Sequence, residues 1–440
     1  MRKSRTKGRE KTSTANGNGA LMAPASDRVQ LEVVLDRARE DLLGVATRSG
    51  LEILAAFLEQ DRERIVGPHR RWSEERDAYR YGYDEGAVVM GGRKVRVPKP
   101  RVRSAAGGGE IVLPTWEWAT RQDPLDQRTM QQMLVGVSTR SYAKSLEPAP
   151  PGVDRSVAVS RSSVSRRFVA QTKAKVEGFL SRSLADIDVR VVMIDGTWLG
   201  EHLMLVALGI DAGGEKHVLG VREGTTENEG VCRSLLSELV ERGLSVERAR
   251  LFVIDGGKGI RKAIRSVFGV WALVQRCQVH KLRNVLQHLP DQQHASVRAA
   301  MRGAWSSESE AAAKRKLNTL ARQLETRWPS AAASLREGLD ETLTVLALGT
   351  TGALYRTLRS THPIENLQSL FKRVTRRVTR WQNGTMARRW AVTGLLDAAT
   401  RFRRIRGHAD LSRLATALDA RCGAATSETD SSAQAAKKAA

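Results

Sequence analysis

The chain is 440 residues long, 41% of them apolar, and carries 72 Lys and Arg against 48 Asp and Glu, a formal net charge of +24. That length allows two or more domains with at least one large core, and the positive excess favours a polyanionic partner, above all nucleic acid. Three cysteines (Cys232, Cys277 and Cys422) cannot build a disulfide framework and fit a reducing, cytoplasmic setting. No apolar run approaches the about 18 residues that span a bilayer, and the polar start, Met1 to Arg5, lacks the apolar stretch of a secretory signal.

Residues 1–27 are polar, rich in Gly, Ser, Thr and Lys, and read as a disordered basic arm. From 28 the spacing turns helical. Leu31, Val34, Leu35, Ala38 and Leu42 make one apolar face and Leu51, Leu54, Phe57 and Leu58 another, which predicts two packed helices. Between 76 and 120, Tyr79, Tyr81, Val88, Val89, Val95 and Val97 flank Gly91 and Gly92 and predict a small β-hairpin. Arg93, Lys94, Arg96, Lys99, Arg101 and Arg103 stud it, and Pro98 and Pro100 break it. These basic side chains serve equally well as contacts to a DNA backbone or as a solvated, charged edge.

Residues 126–182 return to helical spacing, interrupted at Pro148, Pro150, Pro151 and Gly152. Ser160 is placed to cap a helix whose first turn presents Arg161, Ser162 and Ser165, with Arg166 beside them, while Val164 and Phe168 turn inward. With a preceding helix over Met133 to Leu146, this is a helix-turn-helix-like arrangement suited to a DNA major groove; an ordinary surface helix is the alternative.

From 186 the pattern changes to buried strands. Arg190 to Ile194 runs into Asp195, Leu203 to Ile210 runs into the turn at Asp211 to Gly214, and His217 to Val221 follows. Two turns this short predict an antiparallel meander of three strands. A helix over about 227–242 comes next, then Leu251 to Ile254 ending at Asp255, a helix over 258–267 and a strand over Trp271 to Gln275. The order β-β-β-α-β-α-β-α predicts an α/β, ribonuclease H-like core with a mixed five-stranded sheet. Residues 291–360 carry helical spacing through Trp305, Leu317, Leu324, Leu335 and Leu343 and read as an α-helical insertion. A long helix resumes near Pro363 with Glu365 in its first turn and Lys372, Arg373, Arg376 and Arg377 beyond it, and 422–440 read as a disordered tail.

Two of the buried strands end in Asp followed by Gly, at Asp195-Gly196 and Asp255-Gly256. Ligands of open α/β sheets bind beyond the carboxyl ends of the strands, so these carboxylates are expected to converge. Close like charges stay ionised only beside a cation, and hard oxygen ligands select Mg²⁺ or Mn²⁺. Two such ions about 3.5–4 Å apart support in-line phosphoryl displacement, and Glu365 is the candidate third ligand. An Asp-Gly after a strand is also a common turn; two with matching apolar lead-ins favour a site. The glycines are expected to admit substrate backbone. Asp211 is read as the hairpin turn.

Several of these stretches resemble the bacterial Mutator-type insertion-sequence transposases. The matching pieces are Val192 to Gly196, Leu208 to Asp211, Val253 to Gly256, Gln275 to Asn284 and Thr361 to Asn366, with 60 positions between the two aspartates and 110 from Asp255 to Glu365. The resemblance covers about 190–380 specifically and 126–182 more loosely. It implies a DDE transposase, with Asp195, Asp255 and Glu365 holding two Mg²⁺ or Mn²⁺ ions, that binds the terminal inverted repeats of its element and target DNA and cuts and rejoins strands. A bacterial, cytoplasmic, nucleoid-associated protein working as a homodimer at synapsis follows, with no membrane partner. His280 is expected to contact a phosphate or the reacting water, and a buried structural pair with Cys277 is the alternative; one Cys and one His are at most half a zinc site. Lys281, Arg283, Lys372, Arg373, Arg376 and Arg377 are expected on DNA phosphates. The expected division is a basic arm at 1–27, N-terminal helices and hairpin at 28–125, the DNA-binding region at 126–185, core at 186–290, insertion at 291–360, core completion at 361–421 and a tail at 422–440. The rivals are a DNA-binding regulator that has lost catalysis and another ribonuclease H-like nuclease such as a junction resolvase.

Overall fold

The computed structural model describes residues 25–69, 77–90, 93–107, 109–121, 125–146, 157–158 and 160–424. Most of the expected basic arm, the Gly91-Gly92 turn, the prolines at 148–151 with Gly152 and the tail from 425 lie outside them. The chain forms two compact units, Met1–Leu125 with Ala143–Val159, and Asp126–Tyr142 with Ser160–Ala440.

In the first unit, α1 (Ala25–Val66) is one helix of 42 residues, where the sequence spacing predicts two. Gly44 and Gly50 weaken a helix by only about 1 kcal/mol each, and no proline interrupts it between Pro24 and Pro68. It stops at Gly67, whose φ of 84° suits a C-terminal cap. A hairpin of β1 (Ala78–Met90) and β2 (Arg93–Ser104) follows, extended by β3 (Glu110–Ile111), then α2 (Pro114–Arg121). Pro98 and Pro100 do not break β2. They fall between its pairing with β3 at Val102 and its pairing with β4 (Val157–Ala158) at Lys94, where the outer edge is unpaired among the described residues and proline is tolerated. Leu58, Val66, Ala78, Val102 and Leu113 make the small core. Lys99 and Arg101 pair with Glu110, Arg96 pairs with Glu85, and Arg101 and Arg103 lie over the Tyr81 ring.

The second unit opens with α3 (Leu125–Leu134). Met133 to Leu146 is not the expected helix. Gly136, at φ 96°, ends α3 with hydrogen bonds from its N–H to Met133 O and from Val137 N–H to Gln132 O, which is a Schellman closure. Helix α4 (Arg161–Ser181) begins as read: Ser160 accepts from the Ser163 N–H, and Val164 and Phe168 are buried. Phe168 packs on Trp390, ring centroids 4.6 Å apart.

Five strands then form the main sheet: β5 (Val189–Leu199), β6 (His202–Asp211), β7 (Lys216–Gly224), β8 (Arg250–Ile254) and β9 (Ala272–Arg276), with α5 (Glu229–Glu241) and α6 (Lys258–Phe268) between β7, β8 and β9. Their order is β7-β6-β5-β8-β9, antiparallel on the β7 side and parallel from β5 to β9. The period-2 alternation of β5 sorts the two faces. Val192 and Ile194 pack with Leu235, Leu239, Ile260 and Ile264 of α5 and α6. Val191 and Met193 pack with Leu367 and Phe371 of a later helix.

After α7 (Gln278–Leu286) come α8 (Asp291–Trp305), α9 (Glu310–Glu325) and α10 (Pro329–Arg336), with a core of their own that runs from Leu282 to Leu343. From Val345, through α11 (Thr344–Ala347) and α12 (Gly352–Leu358), the apolar side chains rejoin the main core. Helix α13 (His362–Thr375), α14 (Gly384–Ala399) and a helix over 411–424 complete the sheet's second face.

Candidate active site

Strands β5 and β8 are parallel neighbours in the register Val191↔Leu251 to Met193↔Val253. The offset in each pair equals the offset between Asp195 and Asp255, so the two acids stand level at the carboxyl edge of the sheet. Each is tied down locally: Asp195 Oδ1 accepts the Gly196 N–H at 3.0 Å and Asp255 Oδ1 the Gly257 N–H at 2.9 Å. Glu365 arrives from the first turn of α13, and the Thr361 hydroxyl donates to its Oε1 at 2.8 Å. Burial, then the charge of Asp255 and more weakly that of Glu365, push the Asp195 carboxyl up to about 6. All three acids therefore share one field.

The donor set suits divalent cations, because carboxylates with too little compensating positive charge are stable together only when a cation neutralises them. The three are more open than a single-ion cage. Among the described residues, the one group of three His, Cys, Asp or Glu with ligand atoms all within 4.8 Å is Asp211, Glu215 and His217. That group is already used: Asp211 Oδ1 accepts the Gly213 and Glu215 N–H groups and Oδ2 meets His217 Nε2 at 2.8 Å, closing the β6–β7 turn. Ligands for a pair of ions span more than one ion's shell.

The stretch Gln275 to Lys281 splits into two jobs. Cys277 and His280 face Thr361, whose Oγ1 lies 3.4 Å from Cys277 Sγ and 3.4 Å from His280 Nδ1. His280 Nδ1 is 3.9 Å from Glu365 Oε1. The hydrogen bond with Cys277 raises the His280 pKa against the pull of burial, and Glu365 and Asp255 add to the rise. Burial works upward on the Cys277 thiol, but hydrogen bonds with His280 and Thr361 overcome it and lower its pKa. The pair thus clasps the start of α13. Gln275, Arg276, Gln278 and Lys281 clasp the helical insertion instead, through Thr342 O, Val345 N, Glu337 O and Ser334 O.

Lys281 corrects the sequence reading. It is 0% exposed, and its ammonium donates to the Ser334 and Glu337 carbonyls, so it offers no surface to a phosphate. The remaining basic candidates, Arg283, Lys372, Arg373, Arg376, Arg377, Arg161 and Arg166, are exposed, as are Ser162 and Ser165. Gly256 also differs from expectation. At φ 109°, a Cβ there would lie 2.0 Å from Arg276 Nε, so its bareness admits a buried arginine of the chain itself. At Gly196 the tight neighbour is Leu203: a Cβ there would lie 3.0 Å from Leu203 Cδ1 and in ordinary contact, 3.6 Å, with Glu227 Oε1.

Glu227 is the side chain that sequence reasoning missed. It precedes Asn228, which caps α5 by accepting the Val231 N–H. Because β7 runs in the same direction as β5, the loop after β7 reaches the same sheet edge as Asp195 and Asp255. A carboxylate in that loop was a legible signal.

The family described as "Transposase, Mutator family" matches residues 28–404. The chain belongs to the Mutator family of transposases. It is 27% identical over 357 residues to the transposase for insertion sequence element IS256 in transposon Tn4001 of Staphylococcus aureus, covering 77% of this chain and 85% of that protein. It is 28% identical over 272 residues to the transposase for insertion sequence element IS6120 of Mycolicibacterium smegmatis, covering 60% and 81%. The transposase for insertion sequence element IST2 of Acidithiobacillus ferrooxidans is 32% identical over 181 residues, covering 41% and 58%. The matched span takes in both aspartates, the Cys277–Thr361 clasp and Glu365. No helix among the described residues of this Mutator-family chain is long and apolar enough to cross a membrane.

Proposed function

We propose that the chain is a DDE transposase with a ribonuclease H-like catalytic domain, which binds the ends of its own element and catalyses strand cleavage and strand transfer on DNA. The observation that carries this reading is the level placement of Asp195 and Asp255 on parallel neighbours with Glu365 in their field, in a member of the Mutator family. Asp195, Asp255 and Glu365 would hold Mg²⁺ or Mn²⁺, expected as two ions. Divalent ions bound there would neutralise the acids, activate the attacking oxygen and stabilise the leaving one in an in-line displacement.

The chain's own part is positioning. The backbone N–H groups of Gly196 and Gly257 orient the two aspartates. The Thr361 hydroxyl aims Glu365, and Cys277 and His280 hold Thr361. His280 is therefore a positioning residue whose raised pKa also favours a positive charge beside the acids. Lys372, Arg373, Arg376 and Arg377 follow Glu365 on or just after α13, exposed where a phosphate backbone could lie along the helix. Arg161, Ser162, Ser165 and Arg166 of α4 are proposed for element-end recognition, and synapsis of two ends implies a homodimer.

Incubation of the full chain with a labelled element end and Mg²⁺ tests the reading. Cleavage and joining are expected from the natural chain, and Asp195→Asn, Asp255→Asn and Glu365→Gln should each lose both while still binding DNA. DNA binding with no cleavage in Mg²⁺ or Mn²⁺ would instead establish a regulator that has lost catalysis.

A further inference from the structure

We propose that Glu227 is a fourth carboxylate of this acidic site, reaching the divalent ions from the α5 side of the sheet while Glu365 reaches them from the α13 side. The inference rests on the metal-dependent reading above and goes beyond its three acids. Three observations carry it.

The first is placement. The β7–α5 loop ends at the same sheet edge as β5 and β8, and the Asn228 cap fixes where the loop turns into α5. Gly259 of α6 brings the helix backbone against this segment; a Cβ there would lie 2.9 Å from Glu229 N and 3.2 Å from Glu227 O.

The second is access. Along β5, Asp195 shares the α13 side with Met193, and Gly196 shares the α5 side with Ile194. Only at Gly196 does the strand present no side chain; a Cβ there would meet Leu203 Cδ1 at 3.0 Å, and Glu227 Oε1 lies 3.6 Å from that position, which sets its carboxylate beside the residue that follows Asp195.

The third is the state of the carboxylate. Glu227 Oε1 is buried and has no hydrogen-bond partner. An unpaired buried carboxylate oxygen costs several kcal/mol unless something compensates it. Its neighbour two residues on shows the ordinary solution: Glu229 pairs with Lys262 at 2.8 Å. Among the described residues, no such cation pairs with Glu227.

Mn²⁺ binding to the full-length chain without DNA, followed by electron paramagnetic resonance of the free ion, tests this independently of turnover. The natural chain, Glu227→Gln, Glu227→Asp, Glu229→Gln and Asp195→Asn are compared. Glu227→Gln should weaken Mn²⁺ binding by about tenfold or more, Glu227→Asp by less, and Glu229→Gln not at all. Because its buried Oε1 has no hydrogen-bond partner among the described residues, the glutamine variant should fold, with a metal-free melting temperature no lower than that of the natural chain. If it does not fold, the aspartate variant carries the comparison. Natural Mn²⁺ affinity in Glu227→Gln, or failing that in Glu227→Asp, together with a loss in Asp195→Asn overturns the role of Glu227 and leaves the three-acid reading standing. Natural affinity in Asp195→Asn as well overturns both.

Discussion

Thr361 has one hydroxyl proton and three partners within reach: Glu365 Oε1 at 2.8 Å, and Cys277 Sγ and His280 Nδ1 each at 3.4 Å. The carboxylate is closest and takes the proton, so the thiol and the imidazole set the angle from which it is given. Thr361→Val keeps the shape and removes the donor. Single-turnover cleavage in Mn²⁺ should fall about 10- to 100-fold, with Thr361→Ser restoring most of it and DNA affinity unchanged in both. Gly256 is the opposite kind of residue, needed for what it lacks. Gly256→Ala forces an L side chain to φ 109° and onto the buried Arg276, and should destabilise the fold by about 2 kcal/mol or more in urea melts. Retention of full stability would mean that Arg276 can leave its place at little cost. The Asp-Gly pairs were legible in the sequence as strand ends, but the reason for each glycine was not. A Cβ at Gly196 would crowd Leu203 of the paired strand, and one at Gly256 would run into Arg276.

Helix α7 joins the sheet to the insertion, and Lys281 is its buried peg. Burial lowers the Lys281 pKa to about 8 from the usual 10.5, with the nearby Arg276 adding to the drop. The folded state therefore sheds this proton first. Between about pH 8 and 10.5 the unfolded chain binds more protons, so this group makes stability rise with pH across that window. Urea melts of the natural chain and Lys281→Met at pH 7.5 and 10 should differ in slope by on the order of 3 kcal/mol, with the rise confined to the natural chain. Equal slopes would mean that the ammonium reaches water. In the sequence this lysine looks like its neighbour Arg283, because periodicity assigns a face and does not say which faces another segment will cover. The same limit explains α1. Its apolar residues were visible, but whether a glycine-containing stretch continues or folds back is decided by what it packs on.

The formal charge of +24 belongs to the whole molecule and acts on DNA as a field. Element-end affinity should fall linearly with salt on a logarithmic plot, with a slope that counts phosphate contacts at about 0.9 each. Arg161→Ala and Arg166→Ala should each weaken binding and reduce that slope by about 1, whereas Lys281→Met should leave it unchanged. A slope unmoved by either arginine variant means that α4 stays off the phosphates. Not every basic residue is available: Lys99, Arg96 and Arg101 are paired with glutamates inside their own unit. Net charge, a sum over composition, cannot reveal that.

The amino-acid sequence alone determined the succession of strands and helices along the chain, the helical character of the insertion, the capped start of α4 and the two aspartates at strand ends. Each of these is a local pattern, in which period 2, period 3.6, a cap residue or a short turn is settled by neighbours a few positions apart. Tertiary structure alone decided that the Glu227 carboxylate lies beside Gly196, that Lys281 is buried, that Cys277 and His280 clasp Thr361, and that Gly136 ends α3 before Leu146. The first three are meetings between segments far apart in the chain, set by which strands pair and which loops then share an edge. The last depends on one backbone conformation that glycine permits but does not require.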